Sequence, residues 1–191
     1  MPTKLAKDFR SYADLAAAYQ RDQDYRIVQV PRPGSSTAVL APHGGGIEAY
    51  TSDIARGIAG DDFGLYVFEG QLRAGNFAAL HLSSELFDEP ECLNMLASCD
   101  RVVSVHGCGV AGEVVLLGGR DHVLRGAIAA QLQAAGLTCD DAPSGLAGTD
   151  PRNICNRGRT GSGVQLEVSM GLRRSPRRSV LVRAVRLALQ S

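Results

Sequence analysis

A histidine and a glutamate enclose three glycines in His43-Gly44-Gly45-Gly46-Ile47-Glu48. The apolar run at residues 37–42 comes directly before them and predicts a buried strand. The three glycines would let the backbone pack where side chains would block a cation or a substrate. His43 would then lie at the C-terminal edge of a sheet, where open α/β sheets bind their ligands. An imidazole and a carboxylate in that position indicate a metal site.

His106 is the third candidate ligand. A hydrolytic zinc site takes about three protein ligands and leaves one position for water. His106 ends the apolar run at residues 101–106, so neighbouring parallel strands would bring it to the same edge as His43 and Glu48. Either histidine alone is better explained as a buried core residue, but two of them at strand ends beside a glutamate favour a metal. His81 is a rival third ligand or a group that contacts a ligand. It ranks lower because a glycine that clears space follows His106.

Glu167 is the candidate general base. It lies in the apolar-polar alternation of residues 164–169, which predicts a strand with Gln165, Glu167 and Ser169 on one face. Beside a metal, this carboxylate would take a proton from water and pass it to a leaving nitrogen. Away from a metal, it would be a solvent-facing acid.

Asn156 and Arg157 are candidates for binding the substrate. They lie in residues 141–163, a polar, glycine-rich segment that is too long to be a mere connection and predicts a substrate-handling loop. An arginine can capture a carboxylate through two parallel hydrogen bonds. A solvated loop arginine is the alternative interpretation of Arg157.

Other motifs are weak or missing. Residues 107–112 match G-x-G-x-x-G, but the apolar residues 114–117 predict a strand where a dinucleotide-binding motif should open a helix. The sequence has neither a G-x-x-x-x-G-K-[ST] phosphate loop nor a G-x-S-x-G nucleophile motif. His122 begins a predicted helix and is interpreted as a surface or capping residue.

Periodicity predicts an α/β fold, with one domain over residues 1–191 and a mixed, mostly parallel sheet flanked by helices. The predicted helices cover residues 8–21, 48–59, 89–98, 122–135 and 175–189. The predicted strands cover residues 25–30, 37–42, 63–68, 78–82, 101–106, 114–117, 137–140 and 164–169.

Composition limits the function classes. The chain has 191 residues, 45% of them hydrophobic, which suits one substantial core. Twenty acidic residues balance 20 basic ones, so no overall charge points to nucleic acid or to an anionic membrane. Neither a secretory signal nor a membrane-spanning segment is visible, and the five cysteines form no C-x-x-C pair, so we expect a cytoplasmic protein. No acid follows Glu167, whereas six arginines do: Arg173, Arg174, Arg177, Arg178, Arg183 and Arg186.

Six ordered motifs together resemble the poly-γ-glutamate hydrolase family. The resemblance covers residues 25–175 approximately, and members of that family are found in bacteriophages and bacterial genomes, some of them labelled phage-related replication proteins. The motifs are His43-Gly-Gly-Gly-Ile-Glu48, Leu80-His81-Leu82-Ser83-Ser84 with Phe87-Asp88-Glu89-Pro90, Val105-His106-Gly107, Gly118-Gly119-Arg120-Asp121, Asn153-Ile-Cys-Asn156-Arg157 and Gly163-Val-Gln-Leu-Glu167.

The resemblance implies a zinc-carboxypeptidase-like fold and hydrolysis of the γ-amide links of poly-γ-glutamate. By position, His43, Glu48 and His106 correspond to zinc ligands and Glu167 to the general base. Asn156-Arg157 corresponds to the pair with which carboxypeptidases hold a substrate carboxylate. One departure stands out, because carboxypeptidases place two residues between the first histidine and the glutamate, whereas four intervene here.

Several alternatives stay open at this point. The substrate would be an anionic polypeptide or another γ-glutamyl peptide, so a γ-glutamyl cell-wall peptidase and an N-acyl amino acid deacylase are rival enzymes. A nucleic-acid-binding, phage-related accessory protein would use the arginines at residues 173–186, although no interleaved aromatic residues support it.

Overall fold

A seven-stranded mixed sheet with helices on both faces forms the protein in a computed structural model, which describes residues 9–191. The spatial strand order is β1-β3-β2-β4-β7-β5-β6, and the four central strands run parallel to one another. This arrangement confirms the predicted α/β class and mixed sheet. The strands are β1 (Tyr25–Val30), β2 (Thr37–Gly45), β3 (Gly64–Gly70), β4 (Arg101–Cys108), β5 (Val114–Gly119), β6 (Thr138–Asp141) and β7 (Val164–Ser169). The helices are α1 (Tyr12–Ala16), α2 (Thr51–Ala59), α3 (Asn76–Leu80), α4 (Pro90–Leu96), α5 (His122–Ala134), α6 (Met170–Arg174) and α7 (Arg178–Gln190).

The two faces of the sheet are covered differently. On one face, side chains of the central strands pack with α2, α5 and α7 in a continuous apolar core. On the other face, α1, α3 and α4 share a second core with β1, β2 and β3. Polar residues of β4 and β7 are buried on that second face, and they pair across the two strands as Ser104 with Gln165 and His106 with Glu167. The segment between β6 and β7 covers these residues, since Gln165 donates to the Leu146 carbonyl oxygen at 3.1 Å.

One predicted strand is wrong. Residues 78–82 are not a strand, because α3 occupies residues 76–80 and His81 caps its C-terminal end. The buried residues Asn76, Ala79 and Leu80 recur at three- and four-residue spacing, whereas Phe77 is exposed. A five-residue apolar run fits a strand and a short helix equally well, and its alanines favour the helix.

Several boundaries differ from the sequence prediction. The helix predicted over residues 8–21 is confined to α1, and Asp8 lies outside the described residues. The helix predicted from Glu48 begins only at Thr51. The last predicted helix, residues 175–189, begins only at Arg178 as α7, and the short helix α6 at residues 170–174 comes before the predicted range. Residues 107–112 lead into β5 and not into a helix, which agrees with a chance match to the dinucleotide motif. Within residues 9–191, no helix has the length and apolar character needed to cross a membrane.

Four of the six C-terminal arginines contact distant parts of the chain, and three of these four pair with acids. Arg173 is buried, and its guanidinium donates to the Ala49 carbonyl oxygen at 2.5 Å and to the Val168 carbonyl oxygen at 3.0 Å. Three others form ion pairs: Arg177 with Glu113, Arg178 with Asp53 and Arg186 with Asp62. The excess of positive charge seen in the sequence therefore does not form one unopposed basic surface.

A substitution at Gly119, at the end of β5, tests the close packing of the sheet against the covering loop. Its φ of 92° is disfavoured for other residues, and an added Cβ would overlap the Gly163 carbonyl. We expect Gly119→Ala to lower the free energy of unfolding by about 3 kcal/mol in urea denaturation. Gly126→Ala is the matched control: it lies inside α5 with open space around it and should stabilise by about 0.5–1 kcal/mol. Equal effects of the two changes would contradict this packing.

Candidate metal centre

His43, Glu48 and His106 converge at the C-terminal edge of the central strands. One ligand-capable atom from each residue lies within 4.8 Å of the other two, and all three residues are buried. His43 Nδ1 is 3.1 Å from His106 Nδ1 and 3.2 Å from Glu48 Oε1. His106 Nδ1 is 3.8 Å from Glu48 Oε2. The structure therefore brings together the three residues that the sequence singled out.

A hydrogen-bonded turn brings Glu48 back beside His43. The Glu48 N–H donates to the His43 carbonyl oxygen at 2.9 Å, which explains how four intervening residues still leave the two side chains adjacent. Neighbouring protein atoms, and not a cation, fill the space beside the glycines between them. A Cβ on Gly44 would meet the Val67 side chain at 2.9 Å, and one on Gly46 would meet the Asn76 side chain.

The outer nitrogens of both histidines are anchored by the protein. His43 Nε2 is 2.8 Å from the Leu82 carbonyl oxygen, so this nitrogen must carry the proton and donate it. His106 Nε2 is 2.8 Å from the Ser104 hydroxyl. In the neutral rings that donate at Nε2, the lone pairs of both Nδ1 atoms point toward each other. Anchoring of the outer nitrogen by a backbone oxygen or a side chain is the usual support for a metal-bound histidine.

The donor set fits a divalent metal such as zinc. Two imidazole nitrogens and one carboxylate are a common set in hydrolytic zinc sites. Neighbouring ligands of a tetrahedral ion at about 2.0–2.1 Å are about 3.3 Å apart, close to the 3.1 Å between the two Nδ1 atoms. Without a cation or a proton, two facing lone pairs would repel each other in a buried pocket.

Titration of the metal-free centre follows from burial and mutual charge. Burial tends to lower the pKa of His43, but the Glu48 charge outweighs it and the net pKa is raised. Burial and the neighbouring His43 charge lower the pKa of His106 to about 3. For Glu48, burial opposes ionisation, but the His43 charge and hydrogen bonds hold its pKa far below the usual value. Glu48 is therefore ionised and His106 neutral at pH 7.

Glu167 lies beside this centre and is held by a chain of amides. Gln165 donates to Glu167 Oε1 at 2.9 Å, and Asn153 donates to the Gln165 side-chain oxygen at 2.9 Å. All three side chains are buried. Burial, followed by the Glu48 charge, raises the pKa of Glu167 to about 7. The carboxyl can therefore gain or lose a proton near neutral pH, as a general base requires.

His81 contacts the centre from outside. Its Nε2 lies 3.2 Å from Glu48 Oε1, and its ring stacks on His43 with 3.9 Å between centroids. The exposed Phe77 ring also packs against His81, with 4.3 Å between centroids and a 32° angle between the rings. His81 is thus placed to orient the Glu48 carboxylate, and the group of three mutually close ligand atoms does not include it.

A cleft of about 660 Å³ opens over these groups. His43, Glu48, His106 and Glu167 lie in its wall with His81 and Phe77. Much of the remaining wall offers hydroxyl groups and glycine backbone from two segments, residues 83–85 and 144–150. The wall around the centre is therefore rich in polar groups.

Asn156 and Arg157 are not brought to this cleft. The Asn156 side-chain amide donates to the carbonyl oxygens of Gly148 and Asp150 at 2.8 and 2.9 Å, and its oxygen accepts from Gly163 N–H. Arg157 is exposed, and neither residue is part of the cleft wall. The substrate-binding role of this pair stays a prediction from the sequence.

The supporting roles of three residues were not predicted from the sequence. Ser104 anchors His106, while Gln165 and Asn153 hold Glu167. For Ser104 and Gln165 a signal was available, because each stands two positions before a candidate residue on the same strand face. For Asn153 no local signal exists, since its partner Gln165 is 12 residues away across a loop.

Known proteins resemble this chain over most of its length. The family model for poly-gamma-glutamate hydrolase matches residues 9–180. The UPF0714 protein YndL of Bacillus subtilis (strain 168) is 40% identical over 190 residues, which cover 90% of this chain and 73% of YndL. The SPbeta prophage-derived protein YoqZ of the same organism is 41% identical over 138 residues, covering 71% of this chain and 50% of YoqZ.

Two solved structures share nearly the whole fold. A bacteriophage poly-gamma-glutamate hydrolase superposes with a TM-score of 0.90 at 29% identity, covering 95% of this chain and 96% of the other. A zinc-free apo form of YndL superposes with a TM-score of 0.89 at 31% identity, covering 96% and 97% of the two chains. An N-formylglutamate amidohydrolase from Ralstonia eutropha shares the fold alone, with a TM-score of 0.53 at 9% identity and coverage of 86% and 95%.

The raised pKa of Glu167 predicts how stability of the metal-free protein depends on pH. Its pKa is about 7 when folded and about 4.5 when exposed, so the folded state holds a proton that the unfolded state releases between these values. The stabilisation is full below pH 4.5 and is lost as the pH rises to 7. We therefore expect metal-free Glu167→Gln to exceed the wild type in unfolding free energy by about 2–3 kcal/mol at pH 8, but not at pH 4.5.

Glu69→Gln is a control of opposite sign. Burial opposes ionisation of Glu69, but hydrogen bonds from Arg56 and Arg26 lower its pKa to about 2. That variant should be less stable than the wild type at pH 7. Parallel pH profiles of Glu167→Gln and the wild type in urea titrations would contradict the assigned pKa.

Proposed function

The chain belongs to the poly-gamma-glutamate hydrolase family, and from that premise we propose that it is a zinc-dependent hydrolase cleaving the γ-glutamyl amide bonds of poly-γ-glutamate. The observation that carries the proposal is the convergence of His43, His106 and Glu48 beside Glu167 in one open cleft. Similarity over nearly the whole chain to a bacteriophage poly-gamma-glutamate hydrolase supports the substrate class, and the zinc-free form of YndL supports the choice of metal.

His43, Glu48 and His106 would hold the zinc ion. When bound, zinc supplies positive charge that polarises a carbonyl and lowers the pKa of water. The protein's own contribution is to fix the donors in advance. The Leu82 carbonyl orients the His43 ring and Ser104 orients the His106 ring, so little rearrangement is needed on binding.

Glu167 would move the proton. It would accept a proton from the attacking water and deliver it to the nitrogen of the broken amide bond, which then leaves as an amine. Gln165 occupies Oε1 of this carboxylate as a hydrogen-bond donor, so Oε2 is the oxygen left to act as the base. The Asn153 amide fixes Gln165 in turn, which keeps the carboxylate facing the cleft.

The primary test replaces Glu167 by glutamine. This isosteric change keeps the shape of the site but removes the base, so hydrolysis of a γ-linked glutamate oligomer should fall at least about 1,000-fold. Bound zinc should be unchanged, because Glu167 is not among the three proposed ligands. Product analysis by mass spectrometry and metal analysis of the same preparation provide the two measurements.

Glu91→Gln is the control, since Glu91 lies on α4 and pairs with Arg21 far from the cleft. Turnover near the wild-type rate in Glu167→Gln would remove Glu167 from the proposed mechanism. Wild-type cleavage of a muropeptide but not of the γ-linked oligomer would instead assign the enzyme to cell-wall peptides.

A further inference from the structure

The charge of the cleft poses a problem for an anionic substrate. Four carboxylates belong to its wall, namely Glu48, Glu85, Asp150 and Glu167, whereas the described residues that line it include no lysine or arginine. Every residue of a γ-linked glutamate chain carries a free α-carboxylate. A bound metal would offset the two inner acids, but Glu85 and Asp150 would still repel the substrate.

Arg152 pairs with both outer acids of this rim. Its Nε lies 3.1 Å from Asp150 Oδ1 and its Nη2 lies 2.8 Å from Asp150 Oδ2, a two-point contact with one carboxylate. The same Nη2 lies 3.8 Å from Glu85 Oε2, so Arg152 bridges the two wall segments. Its side chain is 64% exposed, and its two ion-pair partners, Asp150 and Glu85, belong to the cleft wall.

The backbone around Arg152 is fixed beside the cleft. Its N–H donates to Asp150 Oδ1 at 2.8 Å, and the Ile154 N–H donates to the Ser84 carbonyl oxygen at 2.8 Å. Asp150 and Asn153, which flank this position, both belong to the cleft wall. An exposed ion pair of this kind contributes little stability, so exchange of one carboxylate partner for another costs little.

We propose that Arg152 binds the free α-carboxylate of a γ-linked glutamyl residue in the cleft. It would thereby favour chains with free α-carboxylates over chains that lack them. The inference rests on the proposed function for its substrate class. In the free protein, Asp150 and Glu85 contact the donor groups of the Arg152 guanidinium. The substrate carboxylate takes the place of one of these two acids. Arginine suits this task because its planar donors match a carboxylate at two points.

Arg159 supplies a matched control within the same loop. It contacts Asp100 through Nε at 2.8 Å and Nη2 at 2.6 Å, also as a two-point pair, and its side chain is 62% exposed. Its backbone N–H donates to the Cys99 carbonyl oxygen, just before β4 begins, whereas the metal centre lies where β4 ends. Loss of this arginine removes the same charge from the opposite edge of the sheet.

Binding is measured separately from turnover, in zinc-loaded protein that carries Glu167→Gln to prevent cleavage. The two probes are a γ-linked glutamate hexamer and the same hexamer with every α-carboxylate converted to a carboxamide. Titration calorimetry should show about tenfold tighter binding of the free acid, since a charged hydrogen-bonded pair contributes about 1.5 kcal/mol. Adding Arg152→Gln should abolish this preference, Arg152→Lys should reduce it, and Arg159→Gln should preserve it.

Three outcomes would overturn the role of Arg152. These are a protein that binds both hexamers equally, an Arg152→Gln change that weakens both equally, and a loss of preference in Arg157→Gln instead. The last result would return carboxylate capture to the pair predicted from the sequence. Failure of the wild type to cleave the free-acid hexamer would contradict the proposed function, and the binding preference would still report on Arg152.

Discussion

Two imidazole nitrogens face each other at 3.1 Å inside a buried pocket, and this contact constrains the rest of the site. Each ring is tied at its outer nitrogen, so neither can turn away without losing a hydrogen bond. Glu48 supplies the negative charge that makes a cation between the rings favourable, and His81 orients that carboxylate. The pocket is thus arranged for a positive ion before any ion arrives.

The sheet makes this arrangement possible because different elements cover its two faces. Helices α2, α5 and α7 cover one face mainly through apolar contacts. On the other face, the second layer of helices packs mainly over β1, β2 and β3, and a loop covers β4 and β7. Polar side chains can therefore be buried on those two strands and still meet an open cleft at their C-terminal ends.

The sequence was sufficient wherever the signal was local. Alternation within residues 164–169 placed Glu167, and two apolar runs ending in histidine placed His43 and His106 at one edge. The sequence was insufficient where distant segments decide the outcome. Residues 76–80 form α3 because Asn76, Ala79 and Leu80 are buried against other parts of the chain, and the place of Arg157 outside the cleft wall follows from a loop that the Asn156 hydrogen bonds hold. The ion pairs of the C-terminal arginines likewise join residues more than 60 positions apart.

The most direct test of the account is the zinc content of three purified proteins, measured by mass spectrometry after equilibration with zinc and removal of the excess. The wild type should retain about one zinc per chain, as should His122→Ala, which alters an exposed histidine at the start of α5. His43→Ala should retain almost none while still folding. Equal zinc retention by His43→Ala and the wild type would contradict a metal centre built on the two facing imidazoles.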